Sequence, residues 1–496
     1  MKSKKVIIIG AGIGGLVAAN LLSKRGFNVN IYEKNKHPGG KLRAVDSSCG
    51  LIDAGPTVFT FKEIFEEIFE LSGESLCDHL KIEKEPIIAR HFWPDGSKLD
   101  LHDNFEENCE AIKKFAGLKV MNEFINFNNL TADLFNTFNK PIIYSSKPNL
   151  FNTSLKAYKK LFKFYNIIKP KSNLWSFLDS QFSEPKLKQL FARYSTYVGG
   201  SPFNSPALLS LIWEAEKKGV WRISGGLHLL AKKLMLIAEK NGASFHFNTE
   251  VKKLNFSDKK DYNIITDKEE NINTDYIIFN GDPRALHFGL INRKISNQII
   301  NKNVIFSRSL SAYVWSFCSK INEINLQHHN VFFNEDYKSE FKDIEKKLMP
   351  SDPTLYVCAE DRGFKKTPPD KERFEIIMNA APYCDGKINL EKEYQLCYSR
   401  TFSNLKEMGL IFQSKPKIEM LTTPQKFNKM FPMSQGSLYG QSPNSIMTTF
   451  RRPRTKTKVP KFFLVGGGVH PGPGVPMAAL SGMHAAEEIL KNQTSI

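Results

Sequence analysis

The residues with the clearest chemical purpose stand at the start of the chain. Gly10-Ala11-Gly12-Ile13-Gly14-Gly15 has GxGxxG spacing, and Glu33 follows it eighteen residues after Gly15. Gly10 permits a tight turn, Gly12 lets a pyrophosphate approach the backbone, and Gly15 permits close helix–strand packing. The unpaired N–H groups at Ile13-Gly14, where a helix begins, present a positive dipole end to phosphate. Glu33 is placed to accept both ribose hydroxyls of an adenosine. Together these residues hold a dinucleotide. The sequence has no catalytic triad, no paired-carboxylate motif, no HExxH and no CxxC. The difficult chemical step therefore falls to a bound cofactor.

These residues need particular elements around them. Val6 to Ile9 is a short β-branched run that predicts a buried strand. Leu16 to Arg25 has helical composition and ends in Lys24-Arg25-Gly26, with cations in the last turn and glycine just beyond. Asn28 to Tyr32 predicts a second strand, closed by Glu33. At the far end, Lys461 to Val465 predicts another buried strand. It feeds the glycine- and proline-rich turn Gly466 to Pro476, then a helix over Met477 to Leu490 with small residues on one face. That is a second strand–turn–helix seat for an anion or carbonyl. Gly225 to Lys240 predicts an amphipathic helix, Ala243 to Leu254 strands, and Tyr276 to Asn280 a further buried strand.

Past Glu33, Lys34 leads through Pro38-Gly39-Gly40-Lys41-Leu42-Arg43 to Leu51-Ile52-Asp53-Ala54-Gly55-Pro56-Thr57. A Gly-Gly-basic loop of this kind can wrap a second nucleotide phosphate. With the first motif, it resembles the FAD-binding amine-oxidase and carotenoid-desaturase superfamily, which implies FAD rather than NAD. The run VGGGVHPGPGVPMAALSGMHAA at 465–486 is similar to the C-terminal flavin-contacting motif of bacterial phytoene-desaturase-type enzymes. Arg193 to Pro202, Val220 to Gly226, Phe279 to Ala285 and Phe450 to Pro453 extend the resemblance over nearly the whole chain. Within that family the chain looks most like the hydroxyneurosporene and methoxyneurosporene desaturases.

The resemblance implies an α/β chain, with a Rossmann-type FAD-binding domain (1–80, 220–290 and 440–496) interleaved with a mixed α+β substrate lobe (81–219 and 291–439). It implies cofactor contacts from Gly10, Gly12, Ile13, Gly14, Gly15, Glu33, Lys34, Gly40, Lys41, Leu42, Gly55, Pro56 and Thr57. Further contacts are implied from Val251, whose backbone meets the adenine, and from Gly467, Gly474, Val475 and Pro476. The implied reaction puts a C=C bond at C3–C4 of an acyclic 1-hydroxy or 1-methoxy carotenoid by hydride transfer to flavin. The resulting allylic cation is so acidic that a weak base, even flavin or water, suffices. The alternatives are an earlier-acting phytoene desaturase, a flavin-dependent carotenoid isomerase, and a flavin-less prenyl-lipid escort protein. Both glycine motifs and Glu33 are intact, which counts against the escort.

Lys41 stands where many relatives carry arginine, which removes bidentate phosphate contact. Gly466 to His470 lacks the acid that amine oxidases carry there, which suits a desaturase. His470 is the candidate polar side chain near the ring, with support of the turn as its other reading. Asp53 and Asp282 read as caps or backbone-orienting acids. Tyr194, Tyr197 and Trp221 are tunnel-lining or core aromatics. No residue reads as a recogniser of the hydroxyl or methoxyl end, and the electron acceptor is left open.

The 496 residues, 41% hydrophobic and 24% charged, describe an ordinary globular chain of two large lobes or three smaller domains and exclude disorder and disulfide scaffolds. The seven scattered cysteines fit a reduced, cytoplasm-like compartment. His328-His329 reads as a surface-loop doublet, and no metal site is expected. The net charge of +18 reflects either a Lys-rich coding bias or an anionic partner. Residues 154 to 172 carry six lysines and no acid, with Leu155, Tyr158, Leu161, Phe162, Tyr165 and Ile168 at helical spacing. That segment fits either a helix lying in an anionic membrane interface or an ordinary basic surface helix. The substrate class favours the membrane, giving a peripheral protein on the cytoplasmic side of the inner membrane with no span. No nucleic-acid-binding pattern appears.

Overall fold

The computed structural model describes residues 3–494 apart from 149–163, 166, 168–171, 257–261, 294–297, 300–306, 364–366, 385 and 387–388. The first strand, Lys5–Ile9, is apolar on both faces because both are covered. Val6 and Ile8 pack with the helix Ile13–Lys24. Ile7 packs on the opposite side with Val251, Leu254 and Tyr262 of a three-stranded antiparallel sheet. Lys5–Ile9 lies at the centre of a five-stranded parallel sheet. The order is Phe462–Leu464, Tyr276–Phe279, Lys5–Ile9, Asn28–Tyr32 and Ser244–His246. Its strands thus come from three separate stretches of sequence. In open sheets of this kind, ligands bind beyond the carboxyl ends of the strands, and both glycine turns lie there.

A second, seven-stranded sheet draws on other stretches: Leu421–Thr422, Ser311–Ser319, Glu372–Ala380, Leu355–Ala359, His329–Phe332, Ile87–Phe92 and Lys98–His102, in that order. It is parallel between His329–Phe332 and Ile87–Phe92 and antiparallel at its other joins. Beside it runs the long helix Phe105–Phe138. Asn104 caps that helix by accepting from the Glu107 N–H, and the helix bends at Gly117 (φ 87°). Its buried face supplies Phe124, Phe127, Leu134 and Phe138 to an aromatic core with Phe191 and Trp213, while Phe135 stacks on Phe61.

The predicted strands and helices of the nucleotide side form with small shifts. The helix expected from Gly225 begins at His228, because Gly225 and Gly226 take positive φ (92° and 105°) and turn the chain into it. The C-terminal helix runs longer than expected, Val475–Thr494. The His328-His329 reading is corrected. Both side chains are buried, and His329 opens a central strand whose neighbours on each side remove it from solvent. Of the basic segment 154–172, only residues 164, 165, 167 and 172 are described, so the expected interfacial helix lies outside the described residues. Among the described residues, no helix is long and apolar enough to cross a membrane.

Candidate active site

A cavity of about 670 Å³ runs from the carboxyl ends of the parallel sheet to the face of the seven-stranded sheet. It brings together Gly10, Gly12, Ile13, Gly14, Glu33, Lys34, Gly40, Lys41, Leu42, Gly55, Pro56, Thr57, Val251, Gly467, Gly474, Val475 and Pro476. Three stretches remote in sequence thus converge on one space. Gly15 does not line it. A Cβ there would stand 2.5 Å from the Gly10 carbonyl oxygen and 2.8 Å from Asn280 Nδ2, so its role is close packing behind the seat.

Asn280 joins the two glycine motifs. Its amide donates to the Gly10 carbonyl (3.1 Å), and its Oδ1 lies where a Cβ on Gly466 would intrude (2.7 Å). The sequence pointed to this residue only as part of a matching segment. Glu33 is fixed through both of its carboxylate oxygens. Oε2 accepts from the Ala11 N–H (2.8 Å), and Oε1 accepts from the Asn35 N–H and side-chain amide (2.9 and 2.7 Å). Each oxygen keeps lone-pair capacity toward the cavity.

Lys41 is partly buried, donating to the Leu438 carbonyl (2.5 Å). Burial outweighs the charge of Asp282 and brings its ammonium down to about 8. Arg452 also lines the cavity and donates to the carbonyls of Tyr439, Gln441 and Gly467 (3.4, 3.1 and 3.4 Å). Burial lowers it to about 10. Two partly desolvated cations beside a glycine-rich cradle suit an anionic ligand. A glycine cradle, a tethered ribose acid and partly desolvated cations in an elongated cavity fit FAD.

His470 carries two readings from sequence, a polar group near the ring or support of the turn. It is 1% exposed and lies off the cavity wall, with Nε2 2.8 Å from the Ser145 carbonyl. Burial holds it at about 4, so the neutral imidazole braces the turn against Ser145. Of the three aromatics, only Tyr197 lines the cavity. Tyr194 is fully buried in the aromatic core, and Trp221 packs over Gly219. Asp53 orients backbone, accepting from the N–H groups of Leu227 (2.5 Å) and His228 (3.1 Å). Asp282 caps the turn Pro283–His287 by accepting from the Arg284 N–H (2.9 Å).

His328, His329 and Cys358 place ligand-type atoms within 4.8 Å of one another. The protein's own bonds account for part of this group. His328 Nδ1 donates to the Ala359 carbonyl (3.1 Å), and the Cys358 thiol faces His328 Nε2 (3.7 Å). Burial, with the nearby charges of Glu360 and Glu375, pushes the Cys358 thiol far above its usual range.

Glu375 lies one row behind the cavity wall, fully buried, with neither carboxylate oxygen hydrogen-bonded among the described residues. Burial first, then the charges of Asp53 and Glu360, raise it well above 4.5 despite Arg43 nearby. The folded state therefore binds a proton that the unfolded chain has lost, and stability falls as pH rises from about 4.5 toward the folded value. Stability of the wild type is expected to lose about 1.4 kcal/mol per pH unit over that window through this group. E375Q is expected to flatten the slope in denaturant titrations above about pH 4.5. An unchanged slope would show that Glu375 is ionised.

The comparisons with known proteins bear on this geometry. The family model for flavin-containing amine oxidoreductases matches residues 13–315. The chain belongs to that family. It is 41% identical over 491 residues to hydroxyneurosporene desaturase of Cereibacter sphaeroides, covering 99% of this chain and 98% of that protein. The namesake enzyme of Rhodobacter capsulatus is 41% identical over 490 residues, at the same coverage. Among solved structures, an oxidoreductase from Methanosarcina mazei superposes with a TM-score of 0.61 at 17% identity, covering 97% of this chain and all of that one, which shows a shared fold. The protein is an FAD-dependent oxidoreductase.

Proposed function

We propose that this enzyme is a carotenoid desaturase that introduces the C3–C4 double bond into an acyclic 1-hydroxy or 1-methoxy carotenoid. The observation that carries the reading is the continuity of the cavity. The wall that begins at the glycine cradle continues into an apolar stretch with Phe61, Phe135, Phe138, Ile142, Leu208 and Ile212. A long apolar chain can therefore lie end-on to the ring in one continuous space. Two full-length relatives carry the name hydroxyneurosporene desaturase.

In this reading the nucleotide half of FAD rests on Gly10 to Gly14, Glu33 and Val251, and the ring end lies among Gly40 to Leu42, Gly55 to Thr57 and Gly474 to Pro476. When bound, FAD supplies the two-electron acceptor for an allylic C–H bond. The chain's own contribution is placement and exclusion of water. Lys41 and Arg452 offset negative charge at the ring end, and the aromatic wall keeps the polyene straight and dry. That the strands of the two sheets come from different stretches of sequence supports an interleaved division into an FAD domain and a substrate lobe. The charge of +18 supports approach to an anionic membrane, from which such a substrate comes, by a peripheral enzyme on its cytoplasmic side.

The test mixes holoenzyme anaerobically with hydroxyneurosporene or neurosporene in liposomes and follows flavin and polyene absorption together. Flavin bleaching with a red-shifted polyene, faster for the hydroxylated substrate, is expected. Equal rates would reduce the reading to a general desaturase. Polyene rearrangement without bleaching would make the enzyme an isomerase.

A further inference from the structure

The register of the seven-stranded sheet sets one row of side chains across four adjacent strands. Val314 stands opposite Ile377, Ile377 opposite Tyr356, and Tyr356 opposite Val331. All four line the cavity, and Tyr356 is the one polar member of the row. Its hydroxyl lies 2.7 Å from Thr57 Oγ1 and 2.6 Å from His329 Nδ1. His329 is 2% exposed, and among the described residues its Nε2 has no hydrogen-bond partner. Tyr197, held by Arg193, adds a second cavity-wall hydroxyl.

We propose that the Tyr356 hydroxyl, in its chain with Thr57 and His329, receives the oxygen at C1 of the carotenoid and so sets which bond meets the ring. This rests on the desaturase reading above. The C1 oxygen is three covalent bonds from C3, so whatever holds it must stand beside the ring rather than at the far end of the tunnel. Thr57 directly follows Gly55-Pro56, whose backbone is pressed against Lys41, where a Cβ on Gly55 would stand 2.0 Å from the Lys41 carbonyl oxygen. The hydroxyl chain therefore lies where that distance requires.

Proton counting gives the trio a further property. With the imidazole proton on Nδ1, His329 and Thr57 both donate to Tyr356, which leaves the Tyr356 hydroxyl proton to offer an ether oxygen. With that proton on Nε2, Thr57 donates to Tyr356 and Tyr356 to His329, which leaves lone pairs to accept from a substrate hydroxyl. Burial first, then His328 and Arg193, keep the ring neutral, so the exchange carries no charge. One site thus serves 1-hydroxy and 1-methoxy ends alike and has no partner to offer a plain hydrocarbon end.

The test compares holoenzyme and Y356F on a 1-hydroxy acyclic carotenoid and its 1-deoxy counterpart. Dissociation constants are read from the polyene absorption shift and kcat/KM from products. Y356F is expected to weaken binding of the hydroxylated carotenoid about tenfold, to leave the deoxy compound unchanged, and to scatter the position of the new double bond. An equal loss on both compounds, or none on either, overturns the assignment of Tyr356. A wild type that binds both compounds alike removes the end-group reading beneath it. Y356M gives the same comparison if Y356F does not hold flavin.

Discussion

R308M is expected to destabilise the protein by about 3–5 kcal/mol, because it strands a buried carboxylate. Arg308 and Asp282 pair at 2.5 Å with side chains only 5% and 7% exposed. Arg308 also donates to the Ser434 carbonyl from Nε (3.2 Å) and Nη2 (3.0 Å). Burial alone pushes the Asp282 carboxyl up, and the charge and hydrogen bond of Arg308, helped by Lys41, bring it below 3.8. In the wild type its contribution is therefore present above about pH 4 and lost as pH falls through the lowered value. In R308M the effect of burial is left unopposed by its main partner, and Asp282 is expected to take up a proton at higher pH. Denaturant unfolding at pH 7 measures the loss, and a value under about 1 kcal/mol would mean that water reaches the pair. Since Gly281 and Asp282 line the cavity, flavin content should fall with stability.

G15V is expected to yield protein without flavin, at a cost above about 3 kcal/mol. The valine Cβ would meet the Gly10 carbonyl at 2.5 Å, Asn280 Nδ2 at 2.8 Å and Ile8 Cγ2 at 3.1 Å. Two of these three are the atoms that hold the first glycine turn in place, so the strain is relieved only by opening the nucleotide seat. G26A is the control. Nothing lies within 4 Å of its Cβ, although φ is +80°, so it should cost about 1–2 kcal/mol and keep its flavin. Absorption at the flavin maximum against total protein separates the two. A yellow G15V would show that the helix can slide away from the strand without loosening the seat.

The nucleotide side was legible because its determinants are local. Strand, turn and helix lie consecutively from Lys5 to Lys24, and each glycine has its reason within one turn of chain or in a neighbouring strand. The cavity's polar wall was not legible, because it depends on cross-strand register. Glu372–Ala380 alternates, yet both of its faces are buried. Phe374, Ile376 and Met378 enter one core, while Glu375, Ile377 and Asn379 turn toward the cavity side. No periodicity marks that second face as special. His329 and Tyr356 meet only because their strands pair, 27 positions apart. His470 carries two readings for the opposite reason. It sits inside a cofactor-like motif, but the backbone of that turn faces the cavity while the imidazole faces Ser145.

The threefold origin of the parallel sheet also has a consequence for how the protein is made. The Asn280 amide reaches a carbonyl 270 positions earlier, and the strand Phe462–Leu464 pairs with Tyr276–Phe279 only when nearly the whole chain exists. A nascent chain that has the first glycine motif has no complete seat for it until Asn280 and Phe462–Leu464 follow. Such late, distant pairings are slow and leave apolar edges exposed meanwhile. A dinucleotide that binds only the finished seat stabilises the folded chain by mass action, so its effect comes after these late pairings have formed.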